Sequence, residues 1–159
     1  MIEPRIVSYQ ERLLIGVCQE MSLVDNQTAQ LWRSFMPRRS EIGNVIGGDL
    51  ISMQVFDADH FKNFSPANRF VKWAAVEVTN HDLVPEGMWT FIIPEGEWAV
   101  FDYKGSSSDP SIFQFIYSQW LPKSGFQLDS RPHFEVLSEK YKNNDPNSEE
   151  EIWIPIKAS

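Results

Sequence analysis

Cysteine is almost missing from this chain: Cys18 is the only one in 159 residues. One thiol excludes an internal disulfide and any cysteine-built metal site. Its neighbours in Leu14-Ile15-Gly16-Val17-Cys18 are apolar, which predicts a buried, inert thiol rather than a nucleophile. Histidine is scarce as well. His60, His81 and His133 lie far apart and lack metal-ligand spacing, so no metal is expected. Positive charge is in deficit, with 14 Lys and Arg against 22 Asp and Glu, a net charge of −8. Phosphate backbones are bound by clustered Lys and Arg, so no nucleic-acid partner is expected. The one prominent basic pair, Arg38-Arg39, reads as a solvated helix end. No stretch approaches the roughly 20 apolar residues that cross a bilayer, and no membrane contact is expected. The N-terminal segment carries Glu3, Arg5, Glu11 and Arg12 without a leader's apolar run. These absences together predict a cytoplasmic protein.

Familiar catalytic signatures are absent too. There is no Gly-rich phosphate loop and no G-x-S-x-G elbow. Ser106-Ser107-Ser108 reads as a turn, not a nucleophile cluster. No cofactor is expected.

Aromatic side chains, by contrast, are abundant: six Trp and eleven Phe, within a composition that is 42% hydrophobic. A length of 159 residues fits one domain with its own core. Part of the aromatic load can pack that core, and the surplus can line a pocket.

The order of elements predicts an α+β fold. Arg5 to Leu23 reads as one long strand bent near Gly16, and Asp25-Asn26 as a helix start. Ala29, Trp32, Phe35 and Met36 then recur at helical spacing up to Pro37. Leu50 to Phe56 and Phe70 to Val78 read as strands. Met88 to Tyr103 is strand-like, interrupted by the turn Pro94-Glu95-Gly96. Asp109-Pro110 opens a second helix through Ile112, Phe115, Ile116, Gln119 and Trp120, ended by Pro122 and Gly125. Arg131 to Leu137 and Ile152 to Lys157 read as the last strands, with Asn143 to Glu151 between them as a mobile acidic loop.

Each half thus runs strand, helix, strand, strand. Short matches link the halves in the same order. Phe35-Met36-Pro37 answers Trp120-Leu121-Pro122, Met53-Gln54-Val55-Phe56 answers Phe134-Glu135-Val136-Leu137, and Lys72-Trp73-Ala74 answers Ile152-Trp153-Ile154. One domain over 1–159 is therefore expected, made of pseudo-repeats at about 5–80 and 88–158. Two such units give a curved antiparallel sheet with two helices on one face and a ligand groove between them.

Within His133-Phe134-Glu135-Val136-Leu137, alternation puts His133, Glu135 and Leu137 on one face. Two readings of Glu135 stay open on the pattern alone. It is either a solvated strand residue or a carboxylate inside the groove, recognising a cation with aromatic help.

Five stretches carry a resemblance to a known family: Leu31-Trp32-Arg33-Ser34-Phe35-Met36-Pro37, Lys72-Trp73-Ala74-Ala75-Val76-Glu77-Val78, Ile93-Pro94-Glu95-Gly96-Glu97-Trp98-Ala99-Val100-Phe101, Trp120-Leu121-Pro122-Lys123-Ser124-Gly125-Phe126 and Arg131-Pro132-His133-Phe134-Glu135-Val136. In order and spacing the chain resembles the GyrI-like family, also called the AraC-type or bacterial transcription activator effector-binding domain. The resemblance implies a duplicated β-α-β-β fold and an acidic residue in the penultimate strand at the base of a ligand groove, a position matched by Glu135. Gln54, its counterpart in the first half, and Phe56 share the expected face. Trp32, Tyr117 and Trp120 lie on the two flanking helices and complete the candidate ligand site, while Trp73 and Trp153 are expected in the sheet core. Many family members carry this domain after a helix-turn-helix region. The domain here is expected to fill the chain, so the resemblance is to stand-alone members, some described as drug-sequestering, gyrase-inhibitory or hydrolytic.

The first functional expectation is binding of amphipathic, aromatic, cationic small molecules, as a sensor or a sequestering protein and not as an enzyme. The alternative is a hydrolase of strained-ring electrophiles with Glu135 as general base. A protein partner attracted by the acidic surface is a third reading.

Overall fold

The computed structural model describes residues 2–57, 59–62 and 64–159. Among these residues the strands are β1 (Arg5–Tyr9), β2 (Arg12–Met21), β3 (Leu50–Val55), β4 (Phe70–Val78), β5 (Trp89–Ile93), β6 (Gly96–Lys104), β7 (Phe126–Leu128), β8 (His133–Leu137) and β9 (Glu149–Ala158). Helix α1 (Thr28–Phe35) precedes β3, and α2 (Ser111–Phe115) follows β6. The strands make one antiparallel sheet in the order β1-β6-β9-β8-β3-β4-β2-β5, with β7 joined to β9. This is the α+β architecture that the sequence predicts.

Local chemistry explains the helix ends. The Asn26 side chain accepts the Thr28 N–H at 3.0 Å, and Asp109 accepts that of Ser111 at 3.0 Å, but each helix starts a residue later than predicted, with Gln27 and Pro110 in the cap positions. Each helix then meets a proline that has no N–H to continue the ladder. At Pro37 the chain tightens into a 3-10 turn, Met36–Glu41. Ahead of Pro122 it widens into a π turn, Ile116–Trp120, and closes with one α turn, Leu121–Lys123.

Two expectations about strand limits are corrected. The first long strand breaks at Gln10-Glu11 rather than bending at Gly16. After that break β2 pairs with β4 and β5, whereas β1 pairs with β6 on the far side of the sheet. The turn before Gly96 does the reciprocal job, sending β5 to β2 and β6 to β9. Gly16 serves a different purpose. A Cβ there would run into the Ala74 carbonyl oxygen and Ala75, so glycine permits the close approach of β2 to β4. The acidic loop is also shorter than predicted, because β9 starts at Glu149. Glu150 alternates in phase with Ile152, Ile154 and Ile156, and its strand continues the β6 ladder as far as Lys104.

Cross-strand partners share a face, so the registers locate the helices. One row across the sheet runs Ala74, Ser52, Glu135, Ile152. Ala74 belongs to the cluster under α1, with Ile15, Leu31 and Phe35. Ile152 belongs to the cluster under α2, with Phe101, Ile112 and Ile116. Both helices therefore sit on one face, and Ser52 and Glu135 fill the gap between them. The neighbouring row, Trp73, Met53, Phe134, Trp153, faces the other way into a third core with Leu14, Trp98 and Val100. Trp73 and Trp153 are thus sheet core, as expected. That far face also encloses the Arg12 guanidinium, 4.0 Å from the Tyr9 ring centre, 4.6 Å from Trp153 and 3.1 Å from Glu77.

Candidate functional site

The floor between the helices is polar, although the sheet around it is apolar. Beside the Ser52–Glu135 pair lies the row Lys72, Gln54, His133. Glu150, two residues before Ile152 on β9, faces the same way. Gln54 Nε2 donates to Glu135 Oε2 at 3.2 Å. The Tyr117 hydroxyl lies 2.8 Å from His133 Nδ1, joining the second helical segment to the floor. Lys72 is 7% exposed and His133 5%, whereas Glu135 and Glu150 are half-buried.

Burial dominates the electrostatics here. It pushes the His133 imidazole down to about 3, with repulsion from His60 adding to the effect. It raises the Tyr117 phenol, further raised by the charge of Glu135, so that the enclosed hydroxyl keeps its proton. The Glu150 carboxyl is pushed up to about 8 by burial and by Glu135, against the pull of Lys72. Burial lowers the Lys72 ammonium from its ordinary value, while Glu135 and Glu150 oppose that shift. The Tyr141 phenol is raised, first by burial and also by the same two carboxylates.

Aromatic rings cover one end of this floor. Phe56 continues the Gln54 face and meets His60, Phe61, Phe70 and His133 at 4.4 to 5.4 Å between ring centres. Phe61 stacks on His133 at 5.4 Å and lies 5.2 Å from Tyr117. The loop after β3 thus lays its rings over the floor. Glu150 and Tyr103 also edge a recess of about 290 Å³, but its row Asp102, Glu151, Val136 lies on the opposite face of the sheet.

Of the six candidate ligand residues, the structure brings together Glu135, Gln54, Phe56 and Tyr117. Trp32 packs edge-on against Phe35 at 6.0 Å, next to the α1 core. Trp120 turns outward. It packs on Phe101 at 5.2 Å and walls a separate recess of about 370 Å³ with Glu3, Ile6 and Lys123. Sequence reading missed Lys72, Glu150 and Phe61. Alternation from Ala74 and Ile152 gives the facing of the first two, whereas Phe61 sits in a loop whose path has no sequence signature. Cys18 is a half-buried free thiol whose pKa burial raises, which suits the predicted inert role.

The GyrI-like small molecule binding domain model matches residues 2–157. The chain belongs to the GyrI-like family. A relative, the transcriptional regulator BrlR of Pseudomonas aeruginosa, is 31% identical over 156 residues, covering 96% of this chain and 54% of BrlR. The chain therefore spans about half the length of that relative. Among solved structures, SAV2435 bound to tetraphenylphosphonium has a TM-score of 0.69 at 15% identity, covering 98% of this chain and 94% of that one. The C-terminal domain of EcmrR has a TM-score of 0.72 at 13% identity, covering 100% and 99%. At such identities the likeness shows the shared GyrI-like fold.

Proposed function

We propose that this GyrI-like domain binds amphipathic aromatic cations in the gap between its helices, as a sensor or a sequestering module. The observation that carries the reading is Glu135, a half-buried carboxylate held by Gln54 on the helix-facing floor, two residues from the ring-covered His133. Apolar burial supplies affinity there, and the carboxylate selects charge, helped by ring faces. SAV2435, with the same fold, was solved with a lipophilic cation bound. Titration with tetraphenylphosphonium and with neutral triphenylphosphine oxide, followed by tryptophan quenching, tests the reading. Tighter binding of the cation supports it. Equal affinities remove charge recognition, and binding of neither probe removes the reading.

A second reading draws on Glu150. A carboxyl whose proton persists near neutrality, within the field of a second carboxylate, is an acid–base arrangement. Glu135 would then activate water against a strained ring, with Glu150 protonating the leaving group. Turnover of an activated cyclopropane, lost in Glu135→Gln, would put this reading first; no turnover by the parent protein would remove it.

A further inference from the structure

The floor that would receive a cationic ligand already contains a basic side chain. Lys72 stands opposite Gln54 on β4, almost fully buried, and faces the gap. Glu135 on β8 and Glu150 on β9 both act on it electrostatically. No direct ion pair joins it to either carboxylate among the described residues, so its charge is not tied up in one contact. The other titratable groups at this floor are His133 on β8, Tyr117 on the second helical segment and Tyr141 in the loop before β9. Near neutral pH His133 is uncharged, both phenols keep their protons, and Glu150 is largely protonated. Lys72, whose ammonium burial disfavours and the two carboxyl groups favour, is the basic group left at this floor.

We propose that Lys72 is the specificity-determining residue of the groove, a buried basic side chain that competes with incoming cations for the Glu135 carboxylate. It moderates the preference of the groove for permanent lipophilic cations without reversing it. This inference rests on the binding function proposed above and adds a prediction of its own. The positive charge that Lys72 carries when protonated opposes an incoming cation, and a unit charge a few ångströms from the ligand in a partly buried site changes affinity by about tenfold or more.

The test compares the parent protein with Lys72→Met, which keeps the stem and deletes the charge, and with Lys72→Gln as a second variant should Met not fold. Tetraphenylphosphonium and triphenylphosphine oxide are titrated into each at pH 7. The readout is the ratio of the two affinities, which a merely structural role would not move. A rise of about tenfold or more in either folded variant supports the proposal. An unchanged or lower ratio overturns it. If the parent binds the cation, Glu135→Gln loses it, and the Lys72 variants keep the parent ratio, the binding function stands and the role of Lys72 falls. If neither parent nor variants bind either probe, both fall.

Discussion

Gln54 and Glu135 occupy equivalent positions in the two halves of the chain, 81 residues apart, and hydrogen-bond to each other across the β3–β8 seam. The bond is diagonal, because each residue's cross-strand partner is the other's near neighbour: Gln54 faces His133, and Ser52 faces Glu135. The amide therefore orients the carboxylate from the opposite half, and the groove floor is assembled jointly.

Glu135→Gln should keep that geometry while deleting the charge. An uncharged amide is easier to bury, so stability should hold or rise slightly. Cation binding should weaken by about 1–3 kcal/mol, the scale of a charge-assisted contact. A melting curve and one titration with tetraphenylphosphonium decide the matter. Unchanged affinity would take Glu135 out of the site.

Tyr117→Phe should destabilise the fold by about 1–3 kcal/mol, because it leaves His133 Nδ1 enclosed without its partner. Urea denaturation at pH 7 reads this directly. A variant as stable as the parent would show that the 2.8 Å contact contributes little to the fold.

Glu150 and His133 should give stability opposite pH trends. The Glu150 carboxyl has an ordinary value of 4.5 and is raised to about 8 in the folded chain. The folded state therefore holds a proton that the unfolded state releases. The stability it brings is full below pH 4.5 and is lost as pH rises through 8. His133 is lowered from 6.5 to about 3, so its contribution is present above pH 6.5 and is lost as pH falls toward 3. Between pH 6 and 9 the parent should lose about 1–3 kcal/mol that Glu150→Gln retains, after allowance for partial exposure. Parallel stability curves for the two proteins would contradict this assignment.

Gly16→Ala should cost about 1–3 kcal/mol or prevent accumulation of folded protein, since the added methyl meets backbone and cannot be relieved by a rotamer change. Soluble yield and melting temperature measure the effect, and a parent-like melt would mean that β2 shifts to make room.

Much of this was legible in the sequence because the strands alternate strictly. His133 and Glu135 fall on one face by period alone, and the matched segments in the two halves foretell the row Trp73, Met53, Phe134, Trp153. Position 16 is ambiguous in the sequence because a glycine in a strand signals either a bend or a close neighbour, and only the partner strand decides which. Glu150 was hidden by the acidic run Glu149-Glu150-Glu151, which reads as solvated loop until its pairing with β6 is known. Lys72 is not legible in the sequence because a buried lysine contradicts the usual partition of charge. Trp32, Tyr117 and Trp120 recur at helical spacing, yet Tyr117 bonds to the floor while the two Trp rings pack on Phe35 and Phe101, a difference set by the roll of each helix.

The exchange of β1 and β5 between the halves carries a consequence for how the chain is made. Each half buries its outer edge under a strand supplied by the other, so neither can finish alone. A nascent chain that has emerged only as far as β4 has no β5 to cover β2 and no β6 to receive β1. Its exposed edge waits for the second half to be synthesised, which ties completion of the ligand floor to the final strand, β9, and makes the domain a single late-closing folding unit.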